Sequence, residues 1–182
     1  MVINVIYIIL ILVIVYTLLT YNKFIKLDNN VNEAFSAMDV SLKKRWDLVP
    51  NLIEIVKGYA QYESETLNQI INFRSCRYDN LNNDEKLKTN EKITNEISKL
   101  LALVENYPEL KANENFLNLS KDLKNIEDEI SKSRRYFNAV VREYNNKVEM
   151  IPSNIIAKIF NYKKKQMFMI SQDERENIKV NL

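Results

Sequence analysis

Apolar residues in this chain fall into five runs, and the first differs in kind from the rest. "VINVIYIILILVIVYTLL" (Val2–Leu19) has no charge, and only Asn4, Tyr7, Tyr16 and Thr17 carry polar groups. At ~1.5 Å per residue it covers ~27 Å, close to the hydrocarbon thickness of a bilayer. The other four runs are periodic. Phe24, Leu27, Val31, Phe35, Met38 and Leu42 recur at three- and four-residue steps. So do Leu52, Ile53, Val56, Tyr59, Ala60, Leu67, Ile70 and Ile71, and then Ile93, Ile97, Leu100, Leu101 and Val104. The last is the longest: Phe116, Leu119, Leu123, Ile126, Ile130, Ser133, Phe137, Val140, Tyr144, Val148 and Ile151. Stripes with this spacing belong to helices with one apolar face, and no strand produces them.

Three joints separate the stripes. Pro50 lacks a backbone donor and its ring meets the carbonyl four residues back, so the first stripe is expected to stop near Trp46, with Asp47 capping a second helix. "YDNLNND" (Tyr78–Asp84) is a polar second joint. In "ENYPELKANENF" (Glu105–Phe116), Tyr107 is pushed to an extended conformation, Pro108 suits a first helical turn, and Asn113 can cap the fourth helix. One Gly and three Pro are too few for a sheet protein rich in hairpins. The isolated Gly58 suggests close packing within the second helix.

The predicted fold is all-α: an N-terminal transmembrane helix, residues 1–21, followed by an antiparallel up-down-up-down four-helix bundle over 22–151. The bundle helices are placed at about 22–45, 48–77, 85–105 and 113–150, and a short helix with a basic polar tail occupies 152–182. The long fourth stripe alone would also suit a coiled-coil dimer, so the oligomeric state stays open.

No Lys or Arg precedes the apolar run and the first Ala is Ala34, so a signal-peptide cleavage site is missing and the run reads as an uncleaved anchor. Lys23 and Lys26, followed by Lys43, Lys44 and Arg45, lie behind it. The positive-inside rule then puts the N-terminus outside and the bundle in the bacterial cytoplasm, single-pass. In an alternating bundle hung from such an anchor, the first and third joints share the membrane-distal tip. Trp46, Asp47, Pro50, Asn51, Tyr107, Pro108 and Asn113 are therefore the candidate partner contacts. "IIAKIF" and the lysines after it would lie near the bilayer, making Lys158, Lys163, Lys164 and Lys165 candidate lipid contacts. Helix lengths disagree, with ~37 Å of rise for the first against ~57 Å for the fourth, and a bend near Thr20–Lys23 is the preferred resolution.

Chemistry is sparse. The chain has 182 residues, no His, and Cys76 alone, which excludes zinc fingers, disulfide frameworks, histidine triads and the Glu-x-x-His di-iron sites common in four-helix bundles. No cofactor is called for. Glu54, Glu65, Glu105 and Glu127 read better as solvated helix faces than as cation ligands. No nucleophile elbow or phosphate-binding glycine loop occurs, so the chain is not expected to be an enzyme. A net charge of +2 gives no reason to expect nucleic acid. The cation clusters "KKRW" and "SRRYF" could meet lipid phosphates or an acidic partner, but intrahelical pairing is the simpler reading.

"SLKKRWDLVPNLIEIVKGYAQYESETL", "ENYPELKANENFLNLSKDLKNIEDEISKSRRYFNAVVREYN" and "PSNIIAKIF" resemble successive signature segments of the LemA family of bacterial membrane proteins, collinear over Tyr21–Phe160. The resemblance implies a membrane-anchored helical bundle without catalytic residues, acting as scaffold or adaptor. It also implies candidate partners, a membrane metalloprotease or a TPM-domain protein. The chain departs from the family pattern at Tyr62, at Ile126 and in its Lys-rich tail. The alternative function is a membrane-surface or membrane-shaping module contacting anionic lipid through the basic C-terminal segment.

Overall fold

The computed structural model describes residues 2–59 and 78–168, and every structural statement concerns those residues. All of their regular elements are helical, as expected. They are α1 (Val2–Tyr59), a 3-10 turn (Tyr78–Asn80), α2 (Asn83–Val104), α3 (Pro108–Lys111), α4 (Glu114–Glu149) and α5 (Ser153–Ile159). Packing divides them into two units, residues 2–38 with 133–168 and residues 39–59 with 78–132.

The principal correction concerns α1. No joint occurs at Trp46–Asn51; the helix continues through Pro50 to Tyr59, and Asp47 caps nothing. The helix is also continuous through Thr20–Lys23. From Thr20 to Tyr59 the rise is ~60 Å, against ~54 Å for α4, and the mismatch of helix lengths disappears. An interior proline costs about 3 kcal/mol. Burial of Val49, Leu52, Ile53 and Val56 around it contributes about 2 kcal/mol each and outweighs that cost. The remainder of the expected second helix, including Ala60 to Ile71, and Cys76 lie outside the described residues. Gly58 is exposed, with nothing near the position a Cβ would take, so it marks no close packing.

In the second unit, α1, α2 and α4 meet around one apolar cluster. Val49, Leu52, Ile53 and Val56 of α1 pack with Ile93, Ile97, Leu100 and Val104 of α2, Leu110 of α3, and Phe116 and Leu123 of α4. Hydrogen bonds give the directions. Lys86 reaches Asp39 and Asn90 reaches Arg45, so α2 runs parallel to α1. Asn113 reaches Tyr59 and Glu127 reaches Arg45, so α4 runs antiparallel. These directions agree with those expected for the first, third and fourth helices. The start of α2 is fixed by a reciprocal cap: Asn82 accepts from the Glu85 amide at 2.9 Å, and Glu85 accepts from the Asn82 amide at 2.8 Å.

A polar network crosses the same unit. Arg45 is 0% exposed and occupies the apolar stripe of α1 between Leu42 and Val49. Its Nη1 donates to both Glu127 carboxylate oxygens at 2.8 and 3.0 Å and to Thr94 Oγ1 at 3.0 Å. Nη2 donates to the Asn90 backbone and side-chain oxygens, each at 2.9 Å. Beside it Tyr78 donates to Asp39 at 2.7 Å and Lys86 to the other Asp39 oxygen at 2.6 Å. Burial first, and then the Asp39 carboxylate, push the Tyr78 phenol above its ordinary pKa.

The two ends of the Arg45–Glu127 pair are not equivalent, because the Glu127 side chain is 34% exposed. Glu127→Leu strands a buried cation and is expected to cost about 3–5 kcal/mol. Arg45→Met leaves a carboxylate that water can still reach, and the loss should be smaller. The double variant should recover part of the Glu127→Leu loss. Denaturant unfolding of the detergent-solubilised full chain tests this order.

Candidate functional site

The seven residues proposed for partner contact do not share one tip. Asn113 donates to the Tyr59 hydroxyl at 3.0 Å and accepts from the Phe116 amide at 3.1 Å, so it caps α4 as expected and does so at the described end of α1. Tyr107 precedes α3 and lies half-buried against the apolar cluster, with Pro108 at the first helical position. Asn51 lies eight residues before Tyr59 and Trp46 thirteen, ~12 and ~20 Å along the axis. Trp46 packs on the Tyr78 ring at 5.3 Å between centroids, and Asp47 pairs with Lys43 at 3.2 Å. The structure thus yields two sites on this unit, the α3 joint with Tyr59 and the flank around Trp46.

That flank carries an open groove of about 310 Å³ lined by Asp39, Val40, Lys43, Lys44, Asp47, Tyr78 and Asp79. Most of its charges already have partners. Lys43 pairs within α1 while lying over the Tyr78 ring at 5.5 Å, and Lys44 bonds Glu129 at 3.2 Å. "KKRW" is therefore two paired surface lysines and one interior arginine, not a cationic patch. Glu127, expected on a solvated face, is the partner of that arginine. Among the described residues no group of acidic, His or Cys side chains is arranged to hold a metal ion.

The first unit contains the apolar run and the lysines proposed for lipid contact. Residues of Val2–Leu19 are exposed, Thr17 alone being half-buried, and α1 is the described helix long and apolar enough to cross a membrane. Immediately after the run α1 turns inward: Phe24, Leu27, Val31, Ala34, Phe35 and Met38 are buried. Phe24 meets Tyr144, and Phe35 meets Phe137, at 6.4 and 5.9 Å. Along α4 the buried positions Phe137 and Tyr144 stand one heptad apart, with Val141 between them and the expected Val140 only half-buried. Ile151, which continues the heptad, is 82% exposed.

Beyond α5 the chain reverses. Asn161 adopts a left-handed conformation (φ 59°), the Tyr162 amide donates to the Ala157 carbonyl at 2.8 Å, and the Asn161 amide to that of Lys158 at 3.3 Å. This is the Schellman closure, with Asn in the place usually taken by Gly. Residues 163–168 then run extended along α4, held by two asparagine brackets. Asn145 exchanges two hydrogen bonds with the Lys165 backbone, both at 2.9 Å, and Asn138 does the same with Phe168 at 2.8 and 2.9 Å. The spacing fits: seven helical residues rise ~10.5 Å and three extended residues span ~10 Å. Phe168 is buried, with the Arg134 guanidinium 4.0 Å from its ring centre, which places one arginine of "SRRYF".

The four lysines are consequently unalike. Lys165 bonds Asp28 at 2.6 Å and sits 5.3 Å from the Tyr144 ring centre, and Lys164 pairs with Glu149. Lys158 and Lys163 are exposed and make no ion pair among the described residues. What was expected to be a polar tail is, through Phe168, part of the packed unit; residues 169–182 lie outside the described set. Replacing Asn145 with Ala should raise the exchange rate of the Lys165 amide, and Asn138→Ala that of Phe168. Each loses about 1–3 kcal/mol of local protection. Hydrogen exchange read by mass spectrometry distinguishes these local losses from a global one.

Comparison with known proteins assigns a family. The chain is 26% identical over 159 residues to Protein LemA of Metamycoplasma hominis, spanning 86% of this chain and 72% of that one. The family model described as LemA family matches residues 34–182, which cover the first stripe from Phe35 and all the later ones, but not the apolar run. On a match of that extent, the chain belongs to the LemA family.

Proposed function

We propose that the protein is a membrane-anchored, non-enzymatic scaffold or adaptor that holds a partner membrane protein. The observation carrying this reading is how the interior charges are used. Arg45, Glu127, Asp39 and Lys86 are paired with one another and with Asn90, Thr94 and Tyr78, only Arg45 Nε lacking a partner among the described residues, so the network holds helix positions and its acids and bases are already engaged. The α3 joint supports the reading from the other side. Pro108 and Glu109 are exposed, while Leu110 is fully buried beneath them, so the joint presents a fixed surface. A membrane metalloprotease or a TPM-domain protein is a partner class this reading accommodates.

A photoreactive residue at Glu109 should crosslink in cells to one stoichiometric membrane protein, whereas the same residue at exposed Lys121 should not. Recovery of chaperones and lipid alone overturns the adaptor reading. The bundle is proposed to be cytoplasmic, with Lys23 and Lys26 exposed directly behind the span. A C-terminal fluorescent-protein fusion should then fluoresce and a C-terminal alkaline phosphatase fusion should be inactive. The reverse pattern inverts the orientation.

A further inference from the structure

Twelve large hydrophobic residues beyond Leu19 are exposed among the described residues, and five of them fall between 150 and 160: Met150, Ile151, Ile155, Ile159 and Phe160. The other seven are scattered, as is ordinary for a protein surface. Ile155 and Ile159, 57% and 70% exposed, stand one turn apart on one face of α5, and Ile151, 82% exposed, lies in the turn that leads into it. The opposite face of α5, Ser153, Ile156 and Ala157, is buried. A seven-residue helix that packs one face and still leaves Ile155 and Ile159 in solvent, with Ile151 exposed just before it, has a second apolar surface without a protein partner among the described residues.

Its position says what covers it. Phe160 packs on Tyr21 at 4.8 Å between ring centres, and Tyr21 lies two residues past the end of the apolar run, ~3 Å along the helix axis. The patch is therefore continuous, within this unit, with the segment that crosses the bilayer. Lys158 stands between Ile155 and Ile159 and Lys163 follows the Schellman turn, both exposed and without an ion pair among the described residues, where long side chains can carry an ammonium group from an apolar face to lipid phosphates. Tyr21 and Tyr162, 6.3 Å apart, bring amphipathic rings to the same level, the kind enriched at membrane interfaces.

We infer that α5 and the residues flanking it are a second membrane-contacting element. Ile151, Ile155 and Ile159 enter the interfacial layer of the bilayer that α1 crosses, and Lys158 and Lys163 contact headgroup phosphates. This relocates lipid contact from the lysine run to the apolar stripe of α5. It rests on the anchor and is independent of the adaptor reading. The consequence is a two-point attachment, which restricts rotation of this unit about the anchor.

The test uses the full chain with Cys76→Ser, one copy per nanodisc made of equal parts phosphatidylcholine and phosphatidylglycerol. Nitroxide labels are placed singly through Ile155→Cys, Ile159→Cys, Tyr136→Cys and Leu12→Cys, all exposed positions that leave the core intact. The labels at 155 and 159 should be about tenfold less accessible to a water-soluble paramagnetic relaxer than the label at 136, and more accessible to oxygen, as for an interfacial helix. Equal aqueous accessibility at 155, 159 and 136, with the label at 12 still lipid-shielded, overturns the inference while leaving the anchor standing. Loss of shielding at 12 as well removes the anchor on which it rests. Shielding at 155 that appears only when discs hold two copies, with dipolar broadening between labels, assigns the stripe to a second chain and overturns it too.

Discussion

The arrangement of the second unit depends on a cation where a hydrocarbon would ordinarily stand. Arg45 is the largest fully buried side chain in the described structure, and its neighbours in the α1 stripe are Leu42 and Val49. Such a group is tolerated in a core when its charge is paired and most of its donors are met; both terminal nitrogens are met from two directions, Asn90 and Thr94 on α2 and Glu127 on α4, while Nε has no partner among the described residues. Apolar ridges would accept a slip of α2 by one turn at modest cost. The guanidinium would not, because the slip carries the Asn90 acceptors ~5.4 Å away and leaves charge in the interior. The pair therefore fixes register more than it adds stability. It also ties Asn90, whose side chain donates to the Lys86 carbonyl, to the turn region where Tyr78 and Lys86 hold Asp39.

The same residue explains which parts of the fold were legible in the sequence. The first, third and fourth stripes, the all-α class, the cap at Asn113 and the helical turn at Pro108 follow from local chemistry, which tertiary contacts do not alter here. The continuity of α1 did not, because two local signals concealed it. Pro50 reads as a helix stop and Arg45 as a surface residue, yet Leu42, Arg45, Val49, Leu52 and Val56 keep three- and four-residue spacing without a change of phase. A true joint resets that phase. Counting Arg45 as a core position would have carried the stripe through the proline.

The candidate sites were legible as segments and not as surfaces. Asn113 and Tyr107 lie in the joint that the sequence indicates, but the partner of that joint is Tyr59, since α1 extends beyond the position where the sequence suggested it would end. At the other unit, the fourth stripe continues rhythmically to Ile151 in the sequence, whereas α4 stops at Glu149 and Ile151 emerges into solvent. Periodicity records which side of a helix is apolar. It does not record whether protein or another apolar phase lies against that side.

The lysine run shows why charge counts alone misplace a membrane contact. Three consecutive cations would act together on a helix end or a disordered tail, where each finds the same lipid surface. Here the Schellman turn at Asn161 sends them along α4 in a segment bracketed at Lys165 and Phe168, so the three lysines meet different surroundings. Lys165, bracketed by Asn145, is directed to Asp28, and Lys164 to Glu149, so two of the three neutralise carboxylates within the unit. Lys163 is left outward, and Lys158 comes from a different element altogether. Two exposed ammonium groups beside a stripe of isoleucines form a contact whose strength comes chiefly from apolar area, with charge selecting the headgroup.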